Sequence, residues 1–298
     1  TVERVDRREQ RRLYVYDYHS VSGTAERLLG RPDPYRLPAP PLGGEGRRFA
    51  AAARKVYLPP PTAGLFGLEG SYDMDIRGLY SRHLNDLTFF LRHVEGTPVH
   101  TSLLRMGAVG TVFSLHDAGL EELPVVAEVA SLFPEAIRVR RVPGALPRSW
   151  VVGGTRVAAG RGAFEALADP SFDPTREVLL AEGRARAAPE TFQGTSRVLR
   201  LAPDRITLEV ESSAPGFVVL ADAFDPGWRA AVDGQPAPVV RANVAFRAVE
   251  VPPGHHVVEM AYRPRAVGQG LTASGASLAL LLGGVAVGVR RERRRRRR

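Results

Sequence analysis

The sequence predicts an α+β protein: a mixed α/β domain, then an antiparallel β-sandwich, then one C-terminal transmembrane helix. Three observations predict it. Residues 195–265 are short apolar-alternating runs broken by turn signals every eight to twelve residues or so, the texture of packed antiparallel sheets. Residues 46–194 mix runs of helical spacing with short strand-like runs. Residues 266–289 carry no charge and stop against a tail of eight arginines and one glutamate.

The elements follow in order. Residues 1–45 hold a strand-like "RRLYVYDYHS" and a Pro-rich "RLPAPPLGG". A second Pro-rich break, "YLPPPTAG", follows a short helical stretch, "GRRFAAAARKV". "DIRGLYSRHLNDLTFFLRHV" places Ile76, Leu79, Tyr80, Leu84, Leu87, Phe90 and Leu91 at helical spacing. Next come a helix at "TSLLRMG", strands at "VGTVFSL", "AIRVRRV" and "SWVVGG", a helix at "GRGAFEALAD" and a strand at "REVLLAEG". In 195–265 the turns are "APD", "SSAPG", "DPG", "VDGQP" and "VPPGHH", with Val232–Asp233–Gly234–Gln235 reading as a hairpin. This segment is expected to close one core.

Residues 266–289 would form a helix roughly 36 Å long, enough for a hydrocarbon layer of about 30 Å. Glycine and serine at Gly270/Ser274 and Gly284/Gly288 permit close approach of another helix. The tail, 290–298, contributes +7 of the net charge of +9. The body is therefore near +2, which excludes a basic face for nucleic acid and leaves the arginines as a cytoplasmic stop signal. That orientation puts 1–265 outside the cytoplasm. The chain opens on Thr1 without an apolar leader segment, so it is expected to be the C-terminal piece of a longer membrane protein, packed against that protein's other transmembrane helices. Zero cysteines fit an exported domain without disulfides.

Few residues point to chemistry. Asp73 and Asp75 form an Asp-x-Asp, the spacing that can hold a divalent ion on a diphosphate, but a Gly-rich nucleotide turn is missing and an acidic loop or first helical turn explains them as well. No metal site is assigned. His255–His256 are expected in a turn. There is no His-Glu-x-x-His, Cys-x-x-Cys, Gly-x-Ser-x-Gly or P-loop, which argues against hydrolysis by metal or nucleophile and against a bound cofactor. Trp228 has three readings: a core Trp of the sandwich, a ring that stacks on a sugar, or a ring at headgroup level. Asp225, Arg229 and Asn243 could add polar contacts near it, and turn chemistry explains Asp225 and Asn243 equally well.

"DAFDPGWRAAVDGQPAPVVRANVAFRAVEVPPGHHVVEMAYRP" combines Pro-Gly-Trp, a "VDG" hairpin, Asn-x-x-Phe-Arg, a "PPGHH" turn and a final "YRP" before a membrane helix. It resembles the C-terminal end of the YfhO family of large bacterial multi-pass proteins, themselves similar to GT-C glycosyltransferases that use polyprenyl-phosphate sugars. "VPGALPRSWVVGGTRV" resembles the family's Pro-Arg strand, and "LEGSYDMDIRGLYSRHL" its Gly-Tyr-Asp segment, with Ser71 interrupting the order; Phe224 also departs from the pattern. The resemblance implies catalysis among transmembrane helices and early extracytoplasmic loops, so no residue here inherits a catalytic role. It implies for this chain a part in placing a glycan acceptor or a lipid-linked sugar. The candidate glycan contacts are Tyr72, Asp73, Asp225, Trp228, Arg229 and Asn243. The expected partners are the lipid bilayer, neighbouring transmembrane helices, and cell-envelope glycan or polyprenyl-phosphate sugar. The alternative is a non-enzymatic, membrane-anchored glycan-binding or assembly module.

Overall fold

A computed structural model describes residues 12–16, 67–72, 81–130 and 136–297. The helical stretch at 46–56, both Pro-rich breaks, and Asp73 through Tyr80 lie outside these residues. The protein is α+β, with mixed and antiparallel sheets and a long C-terminal apolar helix.

The first sheet orders four strands as β1 (Arg12–Val15), β2 (Val109–Ser114), β4 (Ile137–Arg141) and β3 (Val125–Val129). β1 and β2 run parallel and the other pairs antiparallel. Helices α1 (Arg82–His93) and α2 (Pro98–Met106) pack Leu87, Leu91, Leu103, Leu104 and Met106 into the same core as Val109, Val112 and Ile137. Ser81 caps α1 by accepting from the Leu84 amide at 3.3 Å, and Pro98 opens α2 where its missing N–H costs nothing. β3 was not expected: Val125, Val126 and Val129 are exposed at the sheet edge and do not alternate with polar residues.

The second sheet orders β5 (Ser149–Val152), β10 (Gly216–Leu220), β14 (Phe246–Val251), β13 (Val239–Ala242), β7 (Glu177–Leu180) and β6 (Gly154–Val157), all antiparallel except the β6–β7 pair. Helix α3 (Arg161–Ala168) connects β6 to β7, the right kind of crossover for parallel neighbours. The third sheet is wholly antiparallel: β12 (Gln235–Ala237), β11 (Trp228–Val232), β15 (Gly254–Tyr262), β9 (Arg205–Ser212) and β8 (Gly194–Ala202).

The second and third sheets face each other as a sandwich. Ile206, Leu208, Val210, Val258 and Met260 from one meet Val151, Val218, Leu220, Val249 and Val251 from the other. β9 alternates accordingly, whereas every residue of β10 is buried. The reason is that the second sheet is covered twice: Phe217, Val219, Ala248, Trp150 and Val152 point from its other face into the core shared with the first sheet. The change of sequence texture near residue 194 is crossed by hydrogen bonds, since β5 pairs with β10 from Phe217↔Val152 to Leu220↔Ser149.

The Val232–Gln235 hairpin forms as read, with Asp233 and Gly234 at φ 51 and 79°, the left-handed pair of a type I′ turn. His255 and His256 lie in β15, not in a turn. Gly254, at φ 118°, ends the reversal one residue earlier, and the histidines pair with Glu211 and Val210 of β9. Helix α4 (Arg265–Arg295) follows β15 after two residues and has no buried residue.

Candidate functional site

The most elaborate polar centre surrounds Asp222, just past the end of β10. Its Oδ1 accepts from Arg12 Nη2 and from Arg148 Nε and Nη2 at 3.2 and 3.0 Å; its Oδ2 accepts from Arg247 Nη2 at 2.9 Å. Arg12 also donates to the Ala221 carbonyl, and Arg148 Nη1 donates to Glu69 Oε2 at 2.6 Å. Asp222 and Arg247 are buried, while Glu69 is half exposed. Three guanidinium groups thus face two carboxylates. Arg247 Nε and Nη1 and Arg12 Nε are buried without hydrogen-bond partners among the described residues, and the Arg247 guanidinium instead lies 3.7 Å over the Trp228 ring.

Burial would push the Asp222 carboxyl up, but Arg12, Arg148 and Arg247 together hold it well below the usual carboxylate range. Burial lowers Arg247 to about 10 against the pull of Asp222. Asp222 and Arg247 therefore both stay ionised near neutrality, so this pair does not exchange protons there. What it can do is fix position: it ties β1, the Glu69 segment, and the ends of β5, β10 and β14 together by charge-assisted bonds whose disruption leaves buried charge.

A second centre sits in the first-sheet core. Tyr16 Oη lies 3.4 Å from His100 Nε2, the Tyr16 ring meets His116 edge-on at 4.7 Å, and His116 Nε2 lies 3.1 Å from Glu95 Oε1. Burial pushes His100 down to about 4, so it is neutral at physiological pH. Among the described residues no cluster of three or more His, Asp or Glu is placed to hold a metal ion.

The candidate glycan contacts fall in several places. Trp228 is 9% exposed, with Arg247 on one side and Tyr262 at 5.3 Å between ring centroids. Beside it, Asp225 Oδ1 accepts from the Gly227 amide at 2.6 Å, the Asx turn that sets Trp228 on β11. Arg229 is exposed, donating to the Pro226 and Trp228 carbonyls. Trp228, Asp225 and Arg229 therefore share one end of the sandwich.

Tyr72 and Asn243 lie elsewhere. Tyr72 is 2% exposed; its hydroxyl donates to the Leu103 carbonyl at 2.5 Å, and its ring fills the space where a Cβ on Gly107 would come within 2.2 Å. Asn243 is fully buried at φ 47°, linking the β13–β14 turn to β7 by accepting from the Leu179 amide at 2.9 Å and donating its own amide to the Leu179 carbonyl at 2.7 Å. Its Nδ2 has no hydrogen-bond partner among the described residues. Asp73 lies outside the described residues.

Sequence reasoning missed Arg12, Glu69, Arg148, Asp222 and Arg247. A signal existed for four of them. Glu69, Arg148, Asp222 and Arg247 each lie within a stretch that carried the family resemblance, and those stretches meet at this centre.

A β-rich body that ends in a 31-residue helix, uncharged over 266–289 and with no buried residue among those described, defines a membrane-associated sandwich protein. Residues 194–274, from β8 into α4, match the family model of the bacterial membrane protein YfhO, so the chain carries a YfhO-family domain. No curated protein and no solved structure matches the chain.

Proposed function

We propose that this chain is the extracytoplasmic C-terminal part of a multi-pass, glycosyltransferase-like membrane protein, and that it helps place a glycan acceptor or lipid-linked sugar. The observation that carries the reading is the family match, which runs without a break from the sandwich into the membrane helix. The end of the sandwich bearing Asp225, Trp228 and Arg229 is next to that helix, where a lipid-linked sugar would be met, and Arg229 is exposed there. The arginine tail stays cytoplasmic because a block of like charge resists translocation.

The test is to titrate purified residues 1–298 with cell-wall oligosaccharides and polyprenyl-phosphate sugars. Saturable binding weakened by Arg229→Ala and Asp225→Ala supports the reading; no binding to either class counts against it. The same preparation should not turn over sugar donors. Turnover lost in Asp73→Asn would place an active site in this chain. For sidedness, a cysteine in place of Arg295 should resist an impermeant thiol reagent in intact cells, and labelling there would reverse the topology.

A further inference from the structure

The outer face of the third sheet carries a row of arginines where the sheet meets α4. The register sets Arg205 of β9 and Arg229 of β11 on either side of Ala261 of β15. Ile206, Ala230 and Met260, their chain neighbours, point into the core, so Arg205, Arg229 and Ala261 share the outer face. Arg263 follows Ala261 by two residues, held by its amide to the Gly227 carbonyl at 2.8 Å, and Arg265 opens α4. All four arginines are exposed, and none forms a salt bridge with a described residue. The carboxylates at this end are Asp204 and Asp225, with Glu259 on the outer face one step back along β15, opposite Thr207; Asp225 is engaged by the Gly227 amide and by Tyr262. Arg200 of β8 also pairs with Thr207, so five arginines stand with three carboxylates and the end is positive by two.

In water these like charges repel only weakly, since they lie about one screening length apart. Arginines two strands apart, about 9.6 Å, flank a side chain too small to separate them. Arg265 sits at the positive end of the α4 dipole, and the first turn contains no acidic residue and no side-chain cap. Position supplies the missing counter-charge. The uncharged segment begins at Ala266, so Arg263 and Arg265 lie within about 10 Å of chain from it, and Arg205 and Arg229, one strand to either side of Ala261, within about 22 Å. Tyr262 and Leu201, both more than a third exposed, stand at the same end on the sheet's other side, opposite Trp228 and Ile206.

We propose that this row is a docking surface for anionic phospholipid headgroups, seating the sandwich on the bilayer with the Arg205–Arg229 face toward the lipid. The proposal is independent of any glycan.

The chain has no cysteine, so Pro203→Cys, in the exposed β8–β9 turn, gives a single site for a fluorophore. The full chain is placed in nanodiscs of neutral phosphatidylcholine, or of the same lipid with phosphatidylglycerol, each carrying a headgroup spin-label quencher. Quenching should be about twofold stronger in the anionic discs, as expected for several basic residues at a charged surface. It should fall to the neutral level at ~1 M salt, where the screening length is about 3 Å. Arg205→Gln with Arg229→Gln should abolish the difference, while lysine at both positions keeps it. Arg197→Gln, in β8 and paired with Glu209, should leave it unchanged. Equal quenching in the two lipids, or a difference that survives the double glutamine variant, overturns the proposal.

Discussion

The two faces of the second sheet are built on different principles. One face closes the sandwich over an aliphatic core of Val, Leu, Ile and Met, with Trp228 at its end. The other closes a larger core that admits His100, Arg140 and, at its margin, Arg12 and Arg148; Arg247, the third arginine on Asp222, projects from the sandwich face against Trp228. The aliphatic core is specified by alternation along each strand, a local property. The mixed core depends on partners such as Arg12 and Asp222 that are 210 residues apart. The first kind is tolerant of small changes and the second is brittle, because removing one charge strands the others.

Four experiments break or sharpen this contrast. Asp222→Ala should have the largest effect, about 3–5 kcal/mol, because three guanidinium groups lose their common carboxylate; chemical denaturation of the purified chain measures it, and a loss below ~1 kcal/mol would mean that the centre relaxes to water. Leu208→Ala, in the aliphatic core, should cost about 3 kcal/mol, by transfer and cavity terms alone and with little dependence on pH.

The third is a pH series. His100 is held neutral in the folded chain, so below its ordinary value of 6.5 the unfolded chain takes up a proton that the folded one refuses until about 4. Stability should fall by about 2 kcal/mol between pH 6.5 and pH 5 and stop falling near 4. His100→Gln should flatten that interval. The Asp222 contribution has the other window: its folded value is depressed, so it is fully present above about 4 and fades only below that. A decline that remains in the His100 variant would assign the interval to another group. The smallest effect is Tyr72→Phe, about 1 kcal/mol for one buried hydrogen bond, read as a shift in thermal midpoint. A variant of unchanged stability with weakened glycan binding would return Tyr72 to the ligand.

Legibility in the sequence follows the same division. The strands of the third sheet and the Asp233–Gly234 turn could be read directly, since alternation and a left-handed turn pair are local signals. The hydrophobic spacing of α1 was readable for the same reason. β10 carried a continuous apolar run, which says buried but not between which layers. β3 could not be read, because its valines lie exposed on an edge. The Asp222 centre was illegible as a centre: a lone Arg in "LPRSW" or "VAFR" looks like any surface arginine until the fold brings the two to one carboxylate.

The double-faced sheet has a consequence for how the molecule melts and how it can be cut. β5 and β10 are hydrogen-bonded neighbours from opposite sides of residue 194, and Val151 alone carries the first of them into the aliphatic core. Neither core can open without baring a face of the other, so heating should yield one calorimetric transition for the body rather than two. Grafting residues 195–264 onto a foreign anchor would transplant half of a shared wall, and the recipient would have to supply a strand in place of β5.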